Sequence, residues 1–263
     1  MRWIFLILFA VVSLLSILCV PKYEECGLKV FENPEDISNS FIYFGLILIF
    51  TAIILLLAKL NVNVLKLFFY LLIFISAYYV LLPFLGDYSL LLSLMIVVLL
   101  IKKPHWIVIN ISALLLAVGI TSMFGISLEP LPVIVLSIVL AIYDWIAVHK
   151  TGHMVDLADS VVKMKLPLLF IIPSKPKPML LGVGDVVIPN LLVVSAQTFM
   201  NAPTIGFIKI PALTALIGGL IGMLLLITFT DRGPQAGLPF LNGGVILGFM
   251  IGIMLLGYNG LII

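Results

Sequence analysis

The chain has 263 residues, of which 63% are hydrophobic and only 10% charged, with a mean hydropathy of +1.33. A soluble domain carries about 25% charged and about 45–50% apolar residues, so this composition excludes a large-cored soluble protein and defines a polytopic membrane protein. The net charge is only +2, and no basic patch is interleaved with aromatics, which excludes nucleic acid as a partner and leaves the lipid bilayer as the partner the composition requires.

A membrane-spanning helix needs about 20 predominantly apolar residues. That length predicts nine of them, at about 2–20, 41–60, 64–85, 88–101, 105–126, 130–149, 179–200, 207–230 and 238–262. Met1–Val20 has no small-x-small cleavage pattern before Pro21 and the charged segment 22–36, so it reads as a retained helix rather than a signal peptide. The fourth stretch is short, as for a tilted or partly interfacial helix. Breakers separate the spans: Asn61-Val62-Asn63, Gly86-Asp87, Lys102-Lys103-Pro104, Glu129-Pro130, Asn201-Ala202-Pro203 and Asp231-Arg232-Gly233-Pro234. Cys19 and Cys26 flank Pro21. The expected reading is two unpaired small residues, with pairing left open for an extracytoplasmic loop.

Basic residues tend to remain on the cytoplasmic side of a membrane. Arg2, Lys59, Lys66, Lys102, Lys103, Lys150, Lys163, Lys165, Lys175, Lys177 and Arg232 fall on one side, against Lys22, Lys29 and Lys209 on the other. The N-terminus is therefore expected inside the cell and the C-terminus outside, in the cell membrane. Residues 1–263 read as one membrane domain, with helices 1–5 in 1–126, helices 6–9 in 127–263, and a cytoplasmic loop at 150–178 between helices 6 and 7. In that loop, 154–163 has helical spacing, extending helix 6 or lying along the interface. The apolar run Leu168–Ile172, bounded by Pro167 and Pro173, reads as extended, and 174–178 as a stiff polar lead into helix 7. Gly244, Gly248 and Gly252 recur every four residues, a face for close helix packing.

Carboxyl groups carry the chemical information. Of twelve Asp and Glu residues, Glu24, Glu25, Glu32, Glu35, Asp36, Asp87, Glu129, Asp156, Asp159 and Asp231 fall in loops or at helix ends. Only Asp144 and Asp185 lie inside spans, where a carboxylate costs about 2.5–3.5 kcal/mol at the bilayer centre. Asp144 is five residues before His149 and Asp185 six after Met179. Both are therefore expected roughly 8 Å below the same face, so consecutive antiparallel helices bring them to one level. Two carboxyls facing each other in low dielectric cannot both ionise and share a proton. That is the state needed to hydrolyse a peptide bond: one Asp takes a proton from water while the other hydrogen-bonds the scissile carbonyl. Gly182 and Gly184 remove bulk beside Asp185 so that an extended backbone can lie there, and Val183 is expected to face the same place and tune which side chains fit. Pro189, four residues on, cannot donate to the Asp185 carbonyl.

Blander readings apply elsewhere. A lone buried Asp can simply bond a Ser, Tyr or backbone group, but two at one depth argue for chemistry. His149 and His153, with Asp156 and Asp159 after them, lack the Glu of an HExxH site and lie among solvated charges, so neither metal nor cofactor is expected. Ser195 and Gln197 are expected to make interhelical hydrogen bonds. No Ser-His pair lies within spans, which removes a serine mechanism. The rival class is a proton-coupled transporter or cation leak channel. Such sites are expected near the midplane within a repeat, whereas these aspartates lie off-centre and no repeat is visible.

Tyr143-Asp144 and Gly182-Val183-Gly184-Asp185 resemble the YD and GxGD motifs of the presenilin/signal peptide peptidase family of intramembrane aspartyl proteases. The resemblance implies an all-α fold, Asp144 and Asp185 as the catalytic pair, and Tyr143, Gly182, Val183 and Gly184 as residues shaping the site. The nine-helix, N-in reading resembles presenilins, and implies transmembrane substrates of N-out single-span type or remnant signal peptides. The family's third motif, Pro-Ala-Leu, faces the pair from the start of the last helix. Pro211-Ala212-Leu213 matches it in letters but is expected at the far side of the membrane. Pro239-Phe240-Leu241 matches it in position, with Phe240 in place of Ala. Loop 150–178 carries no large insert, so the single chain is the expected active unit, with a homo-oligomer left open. Because an unwound substrate must satisfy its backbone, Leu168–Ile172 is expected to offer an edge for β-strand addition.

Overall fold

The computed structural model describes residues 3–60, 62–148, 167–174, 178–229 and 235–258. The readings placed on His149, His153, Asp156, Asp159, the helical segment 154–163 and the connector Asp231–Pro234 lie outside these residues. Nine α helices form among the described residues: α1 (Trp3–Glu25), α2 (Ser38–Leu60), α3 (Val62–Leu85), α4 (Tyr88–Lys102), α5 (Trp106–Gly125), α6 (Pro130–Ile146), α7 (Val183–Phe199), α8 (Ile210–Phe229) and α9 (Gly237–Tyr258). Five of them are long and apolar enough to cross a membrane, and α4, α6, α7 and the 38–54 part of α2 are shorter apolar helices.

Three boundaries differ from expectation. The α1 helix runs through Pro21 to Glu25, because Tyr23 is buried in the main core and holds the last turn down. Residues Met179–Gly182 are not the start of a helix but strand β2, paired antiparallel with β1 (Leu169–Ile172). The expected extended segment thus exists, and its partner is what delays α7 until Val183. A second hairpin, β3 (Thr204–Ile205) with β4 (Ile208–Lys209), precedes α8. It turns at Gly206, whose φ of 67° suits glycine. Both Cys19 and Cys26 are free thiols, the first buried and the second exposed.

The core is organised around α7. Every residue from Val186 to Ala196 is buried, as expected for a helix apolar on all sides, and α1, α5, α6, α8 and α9 all pack against it. A satellite cluster, Leu65, Phe69, Ile73, Val97, Leu100 and Ile109, joins α3, α4 and α5. Polar side chains tie the layers. Ser40 Oγ donates to the Pro132 carbonyl at 2.7 Å and Asn242 Nδ2 to that of Ser137 at 2.8 Å, whereas Ser195 Oγ donates to the Leu128 carbonyl at 2.6 Å, in the α5–α6 connector rather than in a helix as expected. Ser13 Oγ donates to Asn190 Oδ1. Gln197 reaches the hairpin rather than another helix, donating to the Phe207 carbonyl and accepting from the Lys209 N–H.

The most intimate contact is an antiparallel seam between α8 and α9. Gly218 faces the backbone of Gly244 and Gly248, Gly222 faces Phe240 and Leu241, and Gly252 faces Pro211 and Thr214. A Cβ at Gly218 would meet the Gly244 carbonyl, which is backbone and cannot turn aside. Gly218→Val is therefore expected to destabilise the fold by about 1–3 kcal/mol, the usual cost of overpacking, measurable as a lower denaturation midpoint in detergent.

Candidate active site

Asp144 lies two residues before the end of α6, where the Ala147 N–H bonds back to the carbonyls of Tyr143 and Asp144. Its side chain is buried. Asp144 Oδ2 accepts the backbone N–H of Leu238 at 3.0 Å. Leu238 is the second residue of α9, and the first four N–H groups of a helix have no acceptor within it.

Asp185 is the third residue of α7, whose N-cap is Gly182. The Gly182 backbone lies against the Asp185 carboxyl, a Cβ built there falling 2.9 Å from Oδ2, and the positive end of the helix dipole favours a carboxylate in this first turn. Asp185 is thus in the first turn of its helix, not a turn and a half inside. A Cβ built on Gly237 would lie 3.3 Å from Asp185 Cγ. The start of α9 therefore lies against Asp185 through Gly237 and against Asp144 through Leu238. The two carboxyls thus approach one two-residue segment.

The other expected site residues divide. Pro239, Phe240 and Leu241 follow directly on this contact, and Phe240 does not hold α9 off. Its ring stacks on Phe229 of α8, with centroids 5.5 Å apart, and Gly222 admits its backbone. Pro211-Ala212-Leu213 sits at the opposite end of the seam, beside Gly252, so the positional match is the one at the carboxyls. Gly182 adjoins Asp185, with a Cβ there falling 2.9 Å from Oδ2, while Gly184 faces open space. Val183 differs from expectation: it is buried in the main core cluster, because its N–H pairs with the Leu168 carbonyl at 3.0 Å and continues the hairpin. Tyr143 is 42% exposed and meets Phe44 of α2 edge-on at 6.0 Å, turned from the carboxyl beside it in sequence. Pro189 lies inside α7 as expected, and the Asn190 amide next to it donates to the Val186 carbonyl at 2.9 Å.

The sequence reading missed the backbone donor of Leu238 and the close approach of Gly237, which have no side-chain signature beyond opening a helix. It also missed Asn110. This amide in α5 donates to the Ile171 carbonyl and accepts the Ile171 N–H, both at 2.8 Å. A polar residue within an apolar span was the available signal. Because Val183 N–H bonds Leu168 O, the antiparallel register makes 168/183, 170/181 and 172/179 the hydrogen-bonded pairs. Ile171 and Leu180 then turn their backbone groups outward. Asn110 occupies the outer edge of β1, while the outward groups of Leu180 on β2 have no partner among the described residues.

A groove of about 360 Å³ between α6 and α9 lies alongside, lined by Ile138, Ala141, Ile142 and Trp145 and by Pro239 and Gly243.

The sequence model of the family described as signal-peptide peptidase, presenilin aspartyl protease matches residues 6–258. Solved structures of presenilin family intramembrane aspartate proteases are similar along nearly the whole chain. One, in space group C222, is 31% identical with a TM-score of 0.72, covering 95% of this chain and 96% of its own. Another, in space group P2, is 33% identical with a TM-score of 0.74 and the same coverage, 95% and 96%. Among curated proteins no sequence match is found. Fold and family together define an integral membrane aspartic endopeptidase whose substrates are transmembrane segments in the bilayer. The chain belongs to the signal peptide peptidase/presenilin family of intramembrane aspartyl proteases.

Glycine substitutions separate the roles of the site backbone. Gly184→Ala is expected to leave the denaturation midpoint unchanged, since its Cβ meets nothing within 4 Å. Gly182→Ala and Gly237→Ala press on the Asp185 carboxyl and are expected to lower peptide cleavage by about tenfold to a hundredfold, the cost of a misplaced reacting group, read in a cleavage assay.

Proposed function

We propose that Asp144 and Asp185 are the general acid/base pair that hydrolyses peptide bonds within transmembrane segments. The observation that carries this reading is the convergence of both carboxyls on Gly237–Leu238. Like charges at that distance share one proton. The ionised partner removes a proton from water, and the protonated one hydrogen-bonds the scissile carbonyl and then protonates the leaving amine. Neither metal nor cofactor enters this scheme. Residues 127–263 supply the carboxyls and the α9 start, and 1–126 act as a scaffold. The excess of basic residues on one face supports an N-terminus in the cytoplasm of a cell-membrane protein, and with it N-out single-span substrates.

In lipid with a fluorogenic transmembrane peptide, Asp144→Asn and Asp185→Asn are each expected to lower cleavage by at least about a thousandfold. The wild-type pH profile is expected to be bell-shaped, falling when the shared proton is lost and when the second carboxyl is protonated. Either Asn variant cleaving at the wild-type rate overturns the assignment.

We further propose that the unwound substrate adds as a strand to the outer edge of β2, rather than to β1 as the sequence alone indicates. Support comes from the edges themselves: the Ile171 groups are taken by Asn110, while those of Leu180 face outward two strand residues before α7 begins. Substrate backbone needs such partners where water is scarce. The groove between α6 and α9 offers an apolar approach to the same carboxyls. Leu180→Pro removes one outward N–H and no bond of the β1–β2 ladder, a placement that edge strands tolerate. It is expected to keep the melting midpoint while lowering cleavage by about tenfold. Unchanged cleavage would count against strand addition at this edge.

A further inference from the structure

A second groove, of about 530 Å³, lies between α1, α5 and the end of β1, lined by Ile4 and Leu8, by Ile107, Ile111 and Leu114, and by Ile172. Asn110 stands in its wall, but both ends of its amide are committed to Ile171. The groove therefore presents hydrocarbon throughout. It lies at the end of the molecule that carries the aspartates, because β1 pairs with β2 and β2 runs into α7.

Beside this slot is a pair of cations. Lys102 and Lys103 end α4, both exposed, and neither has an ion-pair partner among the described residues. Lys103 is three residues before Trp106, which also lines the groove, so the chain keeps it within about 10 Å of the opening. Trp106 is itself 41% exposed, and such rings favour the level of lipid headgroups. Hydrocarbon next to paired cations at an interface matches an amphiphile with an anionic head. At about 530 Å³ the slot has room for an acyl chain.

We propose that this groove binds one anionic phospholipid, its acyl chain along Ile107, Ile111 and Leu114 and its phosphate on Lys102 and Lys103. The chain then packs behind the Asn110–Ile171 contact that seals β1, so the lipid supports the hairpin beside the active site from its outer side. A bilayer always supplies such molecules, and the site selects among them by headgroup charge.

The test is native mass spectrometry of the purified full-length protein mixed with phosphatidylglycerol or phosphatidylcholine of identical acyl chains. Phosphatidylglycerol is expected to remain bound and phosphatidylcholine to be lost. Lys102→Gln/Lys103→Gln is expected to weaken retention of phosphatidylglycerol by about thirtyfold, the effect of two lysines at an anionic headgroup. Ile111→Trp fills the slot and is expected to abolish retention with both lysines intact. Ile107→Trp serves the same purpose should Ile111→Trp melt early in uncharged detergent. Glycerol phosphate, which has the head and no chain, is expected not to compete. Equal retention of the two lipids, full retention by the lysine variant or by a folded slot-filled variant, or displacement by glycerol phosphate each overturns the proposal.

Discussion

Two carboxyl groups held in an apolar layer must find hydrogen-bond donors, and this fold places each at the first turn of a helix. Leu238 at the start of α9 donates to Asp144, and Asp185 sits in the first turn of α7, against the Gly182 backbone. First-turn N–H groups would be orphans in any case. One arrangement thus removes two liabilities, unpaired backbone donors and unpaired side-chain acceptors. Backbone donors orient a carboxyl without adding the full positive charge of a Lys or Arg, which would favour its ionised form.

The rest of the fold secures the position of those helix ends. The start of α9 is placed by the glycine seam with α8, in which backbone rests on backbone from Gly252 down to Gly222. Such a seam leaves little freedom to slide, since every small shift brings carbonyls into collision. The start of α7 is placed by burial of the helix behind it and by β2 in front, where Val183 N–H completes the ladder with Leu168. In hydrocarbon there is no hydrophobic drive between helices, so packing and hydrogen bonds such as Ser195 to Leu128 must hold the layers.

The helices were legible in the sequence because an apolar run of fixed length has one use in a bilayer. The carboxyl pair was legible because only Asp144 and Asp185 fall within apolar runs, although the helical count from Met179 did not hold, since that stretch is strand. Strands were harder. Leu168–Ile172 announced itself through flanking prolines, but Met179–Gly182 carries the same apolar letters as the helix it precedes. Only its pairing with β1 separates the two. Val183 shows the same limit: it was expected to face the substrate beside Asp185, whereas its side chain is buried in the core cluster and its N–H is in the ladder. The Gly237 and Leu238 contacts are made by backbone, which no residue type advertises. Phe240, where the family motif has Ala, is accommodated by Phe229 and Gly222, which its own letter does not announce.

Asn110 acts in the sheet as a strand one residue long. Its amide offers the same donor and acceptor as a peptide group, and it meets both outward groups of Ile171. A two-stranded sheet ordinarily has two growing edges, and so can be extended without limit by copies of itself. Capped on one side, this one keeps, among the described residues, only the edge at β2. A strand added there as proposed would complete the sheet and leave no edge for a neighbouring copy to extend.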